Sequence, residues 1–229
     1  MPVSCVSCVA YGEDFGFLGQ YIVRPDLRGR RYGVWTWAEG MAHLGGRTVG
    51  LDGELAQQAN YERSGFRFAY QHIRHQGIGG GETPAGVVAV SAVPFDAIAA
   101  YDRACFPAAR CEFLRRWVAL PGSVALAVVD GGTVRGYGVI RPSTEGRKIG
   151  PLFADDEDIA RRLLRALWSM APGESICIDI PDATFNASAG ELLRPLGTKE
   201  LFRTARMYTR EAPSVAAPKI FGITTMELG

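Results

Sequence analysis

The chain has 229 residues, 47% of them hydrophobic, with 25 Lys and Arg against 24 Asp and Glu for a formal charge of +1. That length and apolar content support a real core in one large or two small domains, and the balanced charge excludes a global pull toward nucleic acid or a membrane surface. The sequence has no charged-then-apolar leader and no uninterrupted apolar run of about 18 residues, so a cytoplasmic protein is expected.

In chain order, residues 3–10 and 15–23 read as antiparallel strands joined by a turn at 11–14. The second strand runs into a basic, glycine-containing turn carrying Arg28, Arg30 and Arg31. A helix then follows over 32–44, because Val34, Trp37, Ala38 and Met41 share one face, and it stops at Gly45 and Gly46. A helix start has backbone N–H groups without partners and the positive end of the macrodipole, so this turn is a candidate diphosphate cradle. A strand at 48–51, a helix at 54–64 and a strand at 66–74 complete the first half.

Residues 77–86 are too glycine-rich for a regular element and predict a linker between a first domain, 1–76, and a second, 87–229. The second half offers a strand at 87–90, helices at 95–106 and 111–120, and a hairpin over 124–130 and 133–141 through Gly131 and Gly132. A helix marked by Ile159, Leu163, Leu164 and Leu167 follows, then a strand at 176–180 and a helix at 186–196 ended by Gly197. Where the first half has its basic loop, the second has Asp155, Asp156, Glu157 and Asp158. Carboxylates there would repel a diphosphate, whereas charge-assisted bonds from arginine to phosphate contribute about 1.5–3 kcal/mol each. The first half is therefore the expected anion site.

Other reactive residue types read as structural. Cys5, Cys8, Cys105, Cys111 and Cys177 are odd in number and lie among apolar residues, which predicts free thiols in a reducing compartment. His43, His72 and His75 have no metal partner at useful spacing. Trp35, Trp37, Trp117 and Trp168 fall at core positions of helices, and Arg161, Arg162 and Arg165 form a solvated helix face.

Two segments together resemble the GNAT acyltransferase superfamily. Arg28-Gly29-Arg30-Arg31-Tyr32-Gly33 is similar to its Gln/Arg-x-x-Gly-x-Gly/Ala loop, with Arg31 in place of the middle glycine. Asn60-Tyr61-Glu62-Arg63-Ser64-Gly65-Phe66 resembles its helix-ending Tyr-Glu-Lys-x-Gly-Phe. The resemblance implies an α/β fold with a mixed sheet, in a tandem arrangement like that of bacterial two-domain acetyltransferases whose C-terminal copy has diverged. The first copy would lack its N-terminal elements, including the helices that wall the acceptor, and a dimer or close interdomain packing is expected to cover that gap; a truncated start is equally compatible.

What the resemblance implies for function is transfer of an acetyl group from acetyl-CoA, with no metal, to a small-molecule or peptide amine. Tyr21, Ile22 and Val23 would pair with the pantetheine arm, and Arg28 to Val34 would hold the diphosphate. Asn60 would bond the arm or remain a surface amide. Tyr61 would protonate the leaving thiolate, since a phenol near pKa 10 can donate to a thiolate whose conjugate acid lies near 8.5. Glu13 and Asp14, in the hairpin turn, are the candidate bases for the acceptor ammonium. No cysteine sits in a motif for a covalent acyl-enzyme, which favours direct transfer in a ternary complex. A non-catalytic acyl-CoA-binding or regulatory module is the alternative, because of Arg31 and the missing acceptor wall.

Overall fold

The computed structural model describes residues 2–229. The chain forms two compact units. The first comprises the chain up to Ala69 together with Thr204–Pro213 and Met226–Gly229; the second comprises Tyr70–Arg203 with Ser214–Thr225. The first passage between them falls after Ala69, within a strand, so the glycine-rich run is not the boundary expected at 77–86. Gly79 and Gly80 donate backbone hydrogen bonds to Glu174 and Trp168, and Gly79 accepts one from Gly173, which ties the run into the second unit.

In the first unit, β1 (Ser4–Tyr11) pairs antiparallel with β2 (Phe15–Val23). Helix α1 (Tyr32–Leu44) follows, then β3 (Thr48–Glu54) and a short helix α2 (Gln58–Arg63), preceded by a 3-10 turn at Leu55–Gln57 where one continuous helix was expected. β4 (Arg67–Ile78) begins in this unit. The core gathers Leu18, Leu44, Val49, Leu51, Phe66, Ala205 and Met207. The last two arrive from far along the chain, on residues 204–208, which pair antiparallel with Gly50 to Glu54 of β3.

The second unit holds β5 (Val88–Ala89), α3 (Phe95–Cys105), α4 (Cys111–Trp117), β6 (Val124–Asp130), β7 (Thr133–Pro142), β8 (Arg147–Ala154), α5 (Glu157–Ser169) and β9 (Ser175–Pro181). β10 (Lys199–Tyr208) and β11 (Ile220–Gly222) close the chain order. Here β5 to β8 pair antiparallel in sequence, β9 runs parallel to β8, and β4 pairs antiparallel with β9. Helix α5 buries Ile159, Leu163, Leu164 and Leu167 in the core with Ile149, Leu152, Ile176 and Ile178. Under that sheet lies a buried ion group: Asp179 accepts from Arg74 at 2.6 Å and meets Lys148 at 2.7 Å. Burial raises the Asp179 pKa, and the two cations outweigh burial and hold it below the usual carboxylate range.

One further expectation fails in this half. Residues 186–196 do not form a helix; Asn186 turns the chain by accepting from the Ser188 N–H at 3.0 Å, and only Arg194–Leu196 makes a 3-10 turn.

Candidate functional site: an open strand pair leading to an uncapped helix

The site begins where two strands part. β2 and β3 pair in parallel through Phe15–Thr48, Gly16–Val49, Phe17–Gly50 and Leu18–Leu51, and the pairing stops there. From Gly19 onward β2 bonds only to β1, while β3 continues beside residues 204–208. A gap therefore opens between Gly19–Val23 on one side and Asp52–Glu54 on the other.

A bulge sets which side chains face the gap. The β1–β2 register shifts between Cys5–Ile22 and Ser7–Gly19, so β2 contains one extra residue, and Gln20 adopts φ of 48° to absorb it. Alternation alone would send Leu18 and Gln20 to the same face. With the extra residue, Leu18 and Tyr21 both pack into the core beneath α1, and Gln20 is exposed. Left-handed φ is uncommon outside glycine and concentrates at functional positions. No pattern in the sequence announces Gln20.

At its far end β2 delivers the chain to the arginine loop. Arg24 forms a bidentate pair with Asp26, which removes the loop's one carboxylate. Arg28 donates to the Val23 carbonyl, and Arg28, Arg30 and Arg31 have no carboxylate partner among the described residues. Arg31 occupies the N-cap of α1 at φ 66°, the left-handed conformation that a glycine would take freely. No side chain caps this helix and no acidic residue stands in its first turn. Gly33 lets the first turn approach β2, since a Cβ there would lie 2.4 Å from Tyr21 Oη and 2.8 Å from Val23 Cγ2. Tyr32 and Trp35 meet edge to face at 5.8 Å beside the loop, with Val34 exposed. Free amides, a helix dipole and three unneutralised guanidinium groups suit a diphosphate. The corresponding helix of the second unit, α5, differs: Asp156 caps it by accepting from the Ile159 N–H at 2.9 Å, and Glu157 and Asp158 fill its first turn.

Tyr61 comes to the gap from α2. Its ring lies on β3 where Gly53 has no side chain; a Cβ there would be 2.3 Å from Tyr61 Cε2. Trp37 stacks on it with centroids 5.9 Å apart, and meets Tyr21 and Phe66 edge-on at 5.2 and 5.8 Å. Burial first, then the charge of Glu54 and the neighbouring Tyr21, push the Tyr61 phenol above its ordinary range. It therefore carries its proton at neutral pH and is a donor. Asn60 is exposed, its amide shared with Gln57 and Arg63 along α2.

Glu13 and Asp14 are not brought to this place. Both are exposed in the turn before β2, at the end where the strands remain paired; the Thr48 N–H donates to the Asp14 carbonyl. Five residues of extended chain, about 16 Å, separate Asp14 from Gly19, where the strands part. Sequence proximity to β2 placed them at the wrong end of it. Asp52, on the side of β3 away from Tyr61, is held by Arg206 through two bonds of 2.9 and 2.6 Å. That pair was invisible in the sequence because its partners lie 154 residues apart.

Among the described residues no group of three or more His, Cys, Asp or Glu could hold a metal ion, and no helix is long and apolar enough to cross a membrane.

A strand pair opened at one end, a bulge, and an uncapped helix start together form the candidate site. Comparison with known proteins agrees in class. A sequence model described as "Acetyltransferase (GNAT) domain" matches residues 98–222, which lie largely in the second unit. A holothin acyltransferase from Pseudoalteromonas sp. (strain SANK 73390) is 32% identical over 231 residues, covering all of this chain and 78% of that protein. The chain belongs to the GNAT acetyltransferase family and is an acyltransferase. The fold is shared with a crystal structure from Pyrococcus horikoshii of a protein proposed to be an acetyltransferase, at TM-score 0.85 and 21% identity, over 100% of this chain and 76% of that one. It is shared more loosely with a tandem GNAT protein from the clavulanic acid biosynthesis pathway, at TM-score 0.59 and 16% identity, over 93% and 80% of the two chains.

Proposed function

We propose that this chain moves an acetyl group from acetyl-CoA to an amine by direct transfer in a ternary complex. The observation that carries this reading is the uncapped N-terminus of α1, ringed by Arg28, Arg30 and Arg31 and continuous with the open edge of β2. The diphosphate would accept from the amides at the start of α1, and the pantetheine arm would take the ladder positions of Tyr21 to Val23 that β3 leaves free. The acceptor nitrogen attacks the thioester carbon, forming a C–N bond as the C–S bond breaks. Tyr61 donates a proton to the departing sulfur and recovers one from solvent. The ammonium nitrogen gives up two protons in all, which reach solvent through a base. The relative named for holothin acylation supports a small-molecule acceptor. The capped, acidic start of α5, and the burial of Leu193, which stands four residues before Gly197 as Tyr61 stands four before Gly65, support a second unit that is a diverged copy without its own donor site.

Calorimetric titration with acetyl-CoA, followed by thiol release with amines, tests the reading. Saturable binding lost on replacing Arg28 and Arg30 is expected. Tyr61→Phe should keep that affinity within about twofold while turnover falls by about 10–100-fold. No uptake of acetyl-CoA by the intact protein would end the proposal.

A further inference from the structure

The second unit repeats the parted strands of the first. β8 and β9 pair in parallel through Arg147–Ile176, Lys148–Cys177 and Ile149–Ile178, and the pairing stops there. Beyond it β8 stays paired with β7 as far as Ala154–Gly136, and β9 with β4 as far as Pro181–His72, so a fork opens between residues 150–154 and 179–181. The chain itself fills this fork. β11 pairs antiparallel with β8 at Ile220–Phe153 and Gly222–Leu152, while the Ile223 N–H donates to the Asp179 carbonyl of β9 at 3.0 Å. Two glycines admit the inserted backbone: a Cβ at Gly150 would lie 2.5 Å from the Ile223 carbonyl oxygen and 2.4 Å from that of Thr224, and one at Gly222 would lie 3.2 Å from both Leu152 Cβ and Ile178 Cδ1. Ile220, Phe221 and Ile223 are buried, Phe221 in the same core as Leu163 and Leu167 of α5. Both ends of the insert are fastened. At one, Lys148 Nζ donates to Thr225 Oγ1 at 3.2 Å. At the other, Lys219 Nζ donates at 2.8 Å to Oδ1 of Asp155, the residue before the Asp156 cap of α5, and Asn186 Nδ2 donates to the carbonyls of Pro218 and Ile220 at 3.3 and 3.0 Å.

We infer that residues 219–225 are a tethered ligand of the second unit: their strand fills the slot that corresponds to the open strand pair of the first, and Lys219 stands on Asp155 where the first unit has its arginine loop. The charge pattern of the two slots is inverted. Before α1 the loop is cationic and suits an anionic diphosphate; before α5 it is acidic and is answered by a lysine from the chain's own insert. The acidic residues at α5 are therefore half of a receptor for this segment rather than the remnant of an anion site. Removing the insert would leave buried main-chain groups such as the Asp179 carbonyl without their partners, and buried backbone groups left unpaired are costly. The slot consequently stays closed, and acyl-CoA is admitted to the first unit alone. The inference rests on the acyl-CoA reading above for what the slot excludes, and on the register and hydrogen bonds of β11 for what fills it.

Amide hydrogen exchange on the full chain tests what fills the fork. The Ile223 amide is expected to exchange as slowly as the amides of β9, and exchange at the rate of an exposed loop would overturn the inference. Lys219→Glu, which sets a carboxylate against Asp155, should speed exchange across residues 220–223 about tenfold, Lys219→Arg should not, and protection in α1 and β2 should stay at the wild-type level in both. Unaltered exchange in Lys219→Glu would refute the part given to the lysine. Acetyl-CoA tests what is excluded: calorimetric titration should find one site per chain, and crystals of the full chain soaked with acetyl-CoA should keep residues 220–223 between β8 and β9. Two sites per chain, or a pantetheine arm lying between β8 and β9, would overturn the inference while leaving acyl-CoA binding intact. No uptake of acetyl-CoA alongside a protected Ile223 amide would instead refute the acyl-CoA reading and leave the tethered segment standing.

Discussion

Arg31 is the residue at which this site departs most from what its geometry asks. Its φ of 66° puts a side chain where glycine would be at ease, and for an ordinary residue the left-handed region costs roughly 1–2 kcal/mol. The unfolded chain gains freedom from glycine, which offsets part of that cost. Arg31→Gly is therefore expected to stabilise the protein by up to about 1 kcal/mol, read as a rise in melting temperature of a few degrees. The same change removes one of three guanidinium groups at the mouth of α1, so acetyl-CoA binding should weaken by about tenfold and become less sensitive to salt. The two readouts move in opposite directions. A variant that loses stability would show that Arg31 is held by contacts that outweigh its backbone conformation.

At the scale of elements, the close approach of α1 to β2 is what joins the helix mouth to the open strand. Gly33 permits it, and Gly33→Ala places a methyl group 2.4 Å from Tyr21 Oη. Either the ring or the first turn must move. The expected result is a loss of about tenfold in acetyl-CoA affinity with a small change in melting temperature, since Tyr21 and the start of α1 are both partly solvated; undiminished affinity would show that the turn tolerates displacement. These elements were legible in the sequence because each is coded locally: α1 by apolar residues at helical spacing, β2 by a largely apolar run that follows the turn at 11–14, the loop by its arginines and glycines. What was missed is coded by distance. β8 is buried along most of its length and so lacks alternation, and β10 intersperses Lys199, Glu200, Arg203 and Arg206 among apolar residues, so neither shows a strand's local pattern. Arg206 is in fact buried, its charge met by Asp52 from β3. The helix expected at 186–196 yielded to local side-chain bonding at Asn186, which competes with helical hydrogen bonds. For the candidate site, Tyr61 and the arginine loop lie on locally coded elements, while Gln20 owes its position to a bulge that no local pattern carries.

At the scale of the whole molecule, the first unit is assembled from three stretches of chain, so the division at 77–86 suggested by the glycines would cut through its structure. A fragment of residues 1–76 retains α1, β2 and the arginine loop but lacks Thr204–Pro213 and Met226–Gly229. It loses five paired positions along β3 and two fully buried side chains, Ala205 and Met207, from a core of seven buried residues. It also leaves the buried carboxylate of Asp52 without Arg206, and removal of one member of such a pair costs about 3–5 kcal/mol. Burying a side chain the size of Met207 contributes a further 1.5–3 kcal/mol or so. At roughly 0.05–0.15 kcal/mol per residue a unit of this size has about 4–12 kcal/mol in all, and these losses, with the five unpaired positions of β3, are of the same order. The fragment is expected to show no cooperative thermal transition by circular dichroism, poor dispersion in its amide NMR spectrum, and no acetyl-CoA uptake. Joining residues 199–213 to its C-terminus through a flexible linker long enough to reach β3 should restore the transition, because the missing strand and the Arg206–Asp52 pair return together. A fragment of 1–76 that folded and bound acetyl-CoA unaided would mean that the strand contributed from residues 204–208 is dispensable, and that the first unit is after all closed within its own sequence.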